Sequence, residues 1–412
     1  MAYNHGITIE EVATSLVTTT TAEAAMPVII GTAPVHNLAE NVAKPINKPC
    51  LIYSMTDFVT QFGEPSDDES KADFTLYQAA EIYLSRYKCA PIVAINVFDP
   101  DVHVDDDGNP DVGKVASADI IGKTSTTGRT GLALVEEVYP RFRLVPGQIL
   151  APKFSADPTV AIALGTACVN ISGYFRATGI FDVPDTVTHY SDVPAWLNTN
   201  NLINENLFCM YGNGLYDDVV EPGSIHLAGA IGQRDAANSD IPYWSPSNQS
   251  LLVEGMTHAG NELFLSPSEA AYLNSQGIVT GLNMIGGLVA WGDQTTAYPS
   301  NSDVKDASIP VRRMFSWLSN ILVLTAWQYV SAPLRRRMIE TVQDVFTLFL
   351  NGLVAREFIL GGRVTFEDAD NPTLDLMDGI VRFHVYFTPP SAAREIVFTL
   401  EYDPDYLSTL YS

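Results

Sequence analysis

The chain has 412 residues, 46% of them hydrophobic and 17% charged, enough apolar material for a sizeable core divided over two or three domains. Its 48 acidic residues outweigh 23 lysines and arginines, giving a formal charge of −25. That sign excludes nucleic acid as a general partner, since such binding rests on cationic side chains, and it disfavours anionic membranes.

Residues 1–25 contain no Lys or Arg. Within them Gly6–Val12 alternates, which suits an isolated strand whose backbone finds its partners in another chain; a floppy terminus is the other reading. Met26–Ala33 reads as a buried strand, 72–88 as a helix with Tyr77, Ala80, Leu84 and Tyr87 on one stripe, and Pro91–Phe98 as a second apolar strand. That strand–helix–strand order predicts a mostly parallel sheet covered on both faces. Gln148–Ala151, Tyr174–Phe181 and Asn206–Tyr211 read as further strands, with helices over Thr159–Val169 and Ser224–Ile231.

The stretch 99–147 differs. Asp99–Asp111 holds six aspartates and no Lys or Arg, and the later part has the Gly, Thr and alternation of short strands and turns, predicting a small β-rich, solvent-facing insertion. Beyond about residue 260 helices are predicted over Ser266–Gln276, Val311–Val330 and Leu334–Leu350. The last carries Leu334, Met338, Val342, Val345 and Phe349 on one stripe, with Asn351-Gly352 as its end. Ile380–Phe387 alternates strictly and stops at Pro389-Pro390, and Glu395–Tyr402 reads as another strand.

Catalytic and ligand motifs find no support. Ile121–Thr124 resembles the end of a phosphate loop, but Ser117 stands where that motif needs its first glycine, so a turn is the better reading. His103–Gly108 approximates a calcium loop, with His103 and Lys114 where carboxylates belong. The seven histidines form no zinc-ligand pair, and no Gly-x-Ser-x-Gly elbow occurs. Cys50, Cys89, Cys168 and Cys209 have neither metal nor disulfide spacing and read as reduced, buried thiols of a protein made in a cytoplasm. Neither a signal peptide nor an apolar run of ~18 residues is recognised, so a soluble protein without metal or cofactor is expected.

One charge feature stands out. Val311–Arg363 carries seven arginines against three acids, a net charge of +4. Arg335, Arg336 and Arg337 open the predicted 334–350 helix at the end where the helix dipole disfavours cations. Either an external anionic partner faces them or they are a solvated helix end.

Taken in order, the landmarks resemble the sheath proteins of contractile phage tails and R-type bacteriocins. They are His5–Val12, MPVIIGTAP from Met26, Tyr53–Phe58 with Phe62-Gly63, helix 72–88 and strand 91–98. Ile149–Phe154, Trp244–Asn248, Leu273–Ile278, Trp291–Thr295, Arg312-Arg313, helix 334–350, Asn371-Pro372-Thr373 and Tyr402 follow. The resemblance implies an α/β fold: a mixed sheet with helices on both faces, a subtilisin-like core without a working protease site, and an α+β C-terminal domain. It implies an N-terminal arm (1–25), a core (26–98 and 148–260), an outward-facing insertion (99–147), a C-terminal tube-facing domain (261–390) and a C-terminal arm (391–412).

The function so implied is structural, not enzymatic: stacked hexameric rings around a tail tube, contracting to drive it through a cell envelope. Ile7, Thr8, Ile9 and Val12, and Ile396, Phe398 and Leu400, would be the arm strands that pair with neighbouring subunits. Arg335, Arg336 and Arg337 would face the tube. The implied partners are further copies of the chain, the tube, and baseplate and tail terminator proteins, in a virion tail assembled in the host cytoplasm. A non-contractile tube or shell protein of a virus-like particle is the alternative.

Overall fold

In the computed structural model, which describes residues 23–126 and 128–411, the apolar runs of the sequence become the middle of a nine-stranded sheet. Its strands are β1 (Pro27–Gly31), β2 (Cys50–Ile52), β3 (Ile92–Asn96), β4 (Gln148–Leu150) and β5 (Thr178–Asp182). They continue with β6 (Leu207–Tyr211), β7 (Gln249–Ser250), β8 (Ile278–Met284) and β9 (Gly287–Trp291). The order across the sheet is β7-β9-β8-β6-β5-β4-β1-β3-β2. From β8 to β3 every pairing is parallel, and the flanking strands β9, β7 and β2 are antiparallel.

The parallel centre follows from composition. β1, β3, β5 and β6 are buried at every residue, which requires cover on both faces and selects unbroken apolar runs over alternation. Helices supply the crossovers: α1 (Thr75–Ala80, continuing as a π-helical stretch over Glu81–Arg86), α2 (Pro158–Ala167) and α3 (Gly223–Ala237). The start of α2 is set locally, with Pro158 at its first position and the Asp157 carboxylate accepting from the Thr159 amide at 2.9 Å. The mixed α/β sheet expected from the sequence is thus observed.

Helix α4 (Ile309–Ala326) packs into the same core through Ile309, Met314, Trp317, Leu318 and Ile321. Helix α5 (Arg336–Ala355) follows, and then a hairpin of β10 (Gly361–Thr365) and β11 (His384–Thr388).

Several expectations are corrected. The 99–147 stretch is not β-rich: it holds one two-residue-per-strand hairpin, Thr124–Ser125 with Gly128–Arg129, among short helices and helical turns. Ile120, Leu132, Leu134, Val135 and Val138 from it join the core, while its acidic part and the Lys123–Thr126 turn face water. The division at residue 260 falls inside the sheet, because β8 and β9 come from 278–291. Helix α5 runs through Asn351-Gly352 to Ala355, and its buried positions are Val342, Phe346, Leu350 and Leu353, with Leu334, Val345 and Phe349 to the side or outside.

By length and composition α5 is apolar enough to cross a membrane. Its packed face, together with Arg336, Arg337, Glu340 and Asp344, makes it an amphipathic packing helix. The strand over 380–387 is confined to His384–Thr388, and 395–402 forms no strand within this chain. Ile7, Thr8, Ile9 and Val12 lie outside the described residues.

Candidate functional site

Two buried polar clusters carry the residue types of catalysis. The Glu221 carboxylate accepts from both terminal nitrogens of Arg86 at 2.5 and 2.9 Å and lies 3.0 Å from His226 Nε2. His226 Nδ1 lies 3.3 Å from the Tyr87 hydroxyl, which accepts from the Leu252 amide. Both imidazole nitrogens are thereby engaged, at 1% exposure, and burial lowers the pKa of His226. In the second cluster the Ser224 hydroxyl and amide each donate to Asp182 at 2.6 Å, and Ser155 donates at 3.2 Å. Within these two clusters no serine meets a histidine, so neither pairs a nucleophile with a base. They join elements: Glu221 ties the end of α1 to α3, and Asp182 ties β5 to the first turn of α3.

Burial pushes the Asp182 carboxyl up to about 6, against the hydrogen bonds from Ser224 and Ser155 that favour its charged form. The folded chain therefore keeps a proton that the unfolded chain releases near pH 4. Its stabilising effect is complete below that pH and is lost as pH rises through about 6, on the order of 3 kcal/mol. Asp182→Asn retains the shape and cannot titrate. The difference in melting temperature between pH 5 and pH 7 is expected to shrink in the variant. Identical pH dependence in both proteins would refute the assignment.

The acidic turn and the lysine turn are self-contained. Asp105 accepts from the amides of Asp107 and Asn109, at 2.9 and 2.8 Å. Lys123 opens the small hairpin, its amide donating to Thr130 Oγ1. Among the described residues no group of three His, Cys, Asp or Glu side chains is placed to hold a metal. All four cysteines are buried and unbridged.

The exposed features lie in the last third of the chain. In the hairpin, β10 and β11 pair only with each other, from Gly361 opposite Thr388 to Thr365 opposite His384, so each has an outer edge with no strand beside it among the described residues. Immediately after it, 391–403 makes no backbone hydrogen bond among the described residues. Ile396, Phe398 and Leu400 are 71%, 85% and 95% exposed there. Pro390–Glu395 forms one wall of a groove of about 930 Å³ whose other side includes Trp244, Gln249, on edge strand β7, and Trp291.

The arginine-rich region is smaller than its sequence suggests. Arg313 is buried and paired with Asp235, and Arg312 is buried against Asp306 at 3.2 Å. Their apolar neighbours on α4, Ile309, Met314 and Trp317, were the available signal that this helix turns both inward. Arg356 and Arg363 stack on the Phe358 and Tyr386 rings. Those two are exposed but each covers a ring, whereas Arg335, Arg336 and Arg337 form an exposed cluster at the start of α5. Arg336 pairs with Glu340 at 2.7 Å, whereas Arg335 and Arg337 have no ion-pair partner among the described residues. No side chain caps the helix, so its first amides add positive potential there. Arg335, Arg337, Met338, Thr341 and Tyr329, whose hydroxyl has no partner, line an open groove of about 340 Å³.

No family model matches the chain. It is 28% identical over 312 residues to the tail sheath protein of Burkholderia phage BcepMu, a match covering 72% of this chain and 64%, under two thirds, of that protein. A putative prophage major tail sheath protein of Pseudomonas aeruginosa is 26% identical over 99% of this chain and 98% of its own length. Among solved structures, the sheath of an extracellular contractile injection system in its contracted state superposes with a TM-score of 0.68 at 15% identity, covering 98% of this chain and 99% of that one. The contracted helical sheath of the anti-feeding prophage gives 0.67 at 16%, covering 98% and 100%. A sheath tail protein of Listeria innocua gives 0.55 at 11%, covering 91% and 94%. In sequence this chain is similar to curated tail sheath proteins, and in fold it is similar to the sheath subunits of contractile injection systems.

Proposed function

We propose that the chain is the repeating subunit of a contractile tail sheath. The observation that carries this is the segment Ile396–Leu400, apolar, exposed and unpaired, beside a hairpin with two free edges. A segment whose partners are missing in its own chain, next to edges that lack a strand, is the arrangement for strand exchange between identical subunits. Each added strand brings a handful of backbone hydrogen bonds at roughly 0.5–1.5 kcal/mol each, plus burial of its apolar face. Repeated over a polymer, such links become effectively permanent.

In this reading the subunits stack as hexameric rings around a tail tube, linked through N- and C-terminal arms, and the ends of the polymer meet baseplate and terminator proteins. The sheath is held extended and contracts toward a lower-energy packing, driving the tube into the target. The nine-stranded sheet is the subtilisin-like body of the subunit, the acidic turn around Asp105 faces outward, and the region from α5 onward faces the tube. Assembly takes place in the host cytoplasm, and the product is part of a virion tail or of a headless particle of the same kind.

Negative-stain electron microscopy of the purified chain at high concentration tests this. Hollow cylinders of uniform, wide diameter are expected. Closed shells or thin tubes would favour a non-contractile particle, and small oligomers at every concentration would overturn assembly of the chain on its own.

A further inference from the structure

We infer that the backbone at Ala24–Met26 is an anchor that delivers tension on the N-terminal arm into the central sheet; the inference rests on the reading of residues 1–25 as an inter-subunit link. Three consecutive carbonyls at this point are each held by a different element. The Ala24 carbonyl accepts from the Arg313 guanidinium on α4 at 3.4 Å. The Ala25 carbonyl accepts from the Tyr83 hydroxyl, in the π-helical stretch after α1, at 3.1 Å. The Met26 carbonyl accepts from the amides of Gly147 and Gln148, at the start of β4, at 2.9 and 3.1 Å.

The donors are themselves fixed. Arg313 is bound through both terminal nitrogens to Asp235 on α3, and the two side chains are 3% and 2% exposed. Tyr83 is 2% exposed, and its hydroxyl fits because Gly232 on α3 has no side chain: a Cβ there would stand 2.5 Å from it. The closest approach is at Gly147, where a Cβ would lie 2.1 Å from the Ala24 oxygen. Farther along α4, Asn320 exchanges two hydrogen bonds with the backbone of Arg176, just before β5, at 2.9 and 2.8 Å. Helix α4 thus ties the exit of the arm to the strand next but one from β1, and β1 begins one residue after the anchor.

A buried arginine bound to one carboxylate and one carbonyl is a costly arrangement for a peptide end that carries no load, since a desolvated charge must be fully compensated. Mechanical function gives a reason for it. Pull applied through the arm meets three carbonyl contacts in series before β1, and each is grounded on a different part of the core. The arm cannot peel from the sheet without breaking all three.

Glutamate-specific proteolysis reads the anchor directly. Cutting after Glu23 requires Glu23–Met26 to leave these donors, whereas cutting after Glu10 or Glu11 lies well before them and serves as reference. Tyr83→Phe removes one hydroxyl and is expected to raise the rate at Glu23, relative to Glu10, about fivefold. Gly147→Ala displaces the Ala24 carbonyl and is expected to raise it tenfold or more. Assembled cylinders of either variant should break under shear that leaves the wild-type polymer whole. Unchanged cleavage ratios in Tyr83→Phe, folded as judged by its melting curve, would overturn the anchor. A chain lacking residues 1–22 separates the two readings. If it polymerises like the wild type, the arm is no link and the anchor carries no tension, whatever the cleavage ratios show.

Discussion

Replacing Ile396, Phe398 and Leu400 together with serine is expected to abolish polymerisation while leaving the subunit's melting curve where it was. The second half follows from exposure: at 71%, 85% and 95% exposed, these side chains contribute nothing to the core of the isolated chain. The first half follows from burial on a neighbour, worth roughly 1.5–3 kcal/mol for each such side chain. Part of that is offset by ordering the segment. Even so, a net loss of about 4 kcal/mol per contact is close to three decades in affinity. A strand presents alternate residues to opposite faces, so the substitution has a built-in control. Serine at Val397, Thr399 and Glu401 should weaken assembly far less if 396, 398 and 400 form the docked face. Cylinders from the 396/398/400 variant indistinguishable from wild type would sink the arm assignment, and equal loss from both sets would sink the strand geometry.

Much of the fold was legible because the signals were local. β1, β3 and β6 are apolar at nearly every position, and only a sheet covered on both faces buries such runs. What escaped the sequence was set by distant partners. Residues 122–138 carry Gly, Thr and alternation that suit short strands, but Leu132, Leu134, Val135 and Val138 reach the core from helical turns. Asn351-Gly352 has the chemistry of a helix end, yet Leu350 and Leu353 are both buried, and that packing carries α5 through. The strand Gly361–Thr365 was missed because its two leading glycines weaken every pattern; only pairing with His384–Thr388 defines it.

The candidate sites divide in the same way. A count of arginines cannot separate Arg312 and Arg313 from Arg335–Arg337, because the difference lies in Asp306 and Asp235, one brought from 78 residues away. The buried clusters were invisible, since Arg86 and Tyr87 reach Glu221 and His226 across 135 or more residues, and Asp182 meets Ser155 and Ser224 from two other elements. Glu395–Tyr402 alternates as a strand does, yet it forms none within this chain, because no strand lies beside it among the described residues.

Reversing the charge of Arg335, Arg336 and Arg337 to glutamate is expected to leave the subunit folded and to abolish extended sheath on a tail tube. Folding is spared because all three side chains are exposed, and the Arg336–Glu340 pair, with the arginine 92% exposed, is a surface contact of little net worth. Glutamates at the uncapped start of α5 interact favourably with the helix dipole, offsetting the new repulsion from Glu340. Binding is not spared. An exposed ion pair adds at most about 1 kcal/mol, but if the three arginines face carboxylates on the tube, as proposed for this region, three pairs per subunit would recur around and along it, and reversal would turn each attraction into repulsion. The same contacts predict that extended assemblies shorten as salt rises, because screened surface charges lose most of their reach by about 0.15 M. A triple glutamine variant should fall between the two, since it removes attraction without adding repulsion. Cylinders formed by the chain alone should persist in the glutamate variant, because they do not use the tube. Normal extended tails from that variant, at low and at physiological salt, would place the tube contact elsewhere on the subunit.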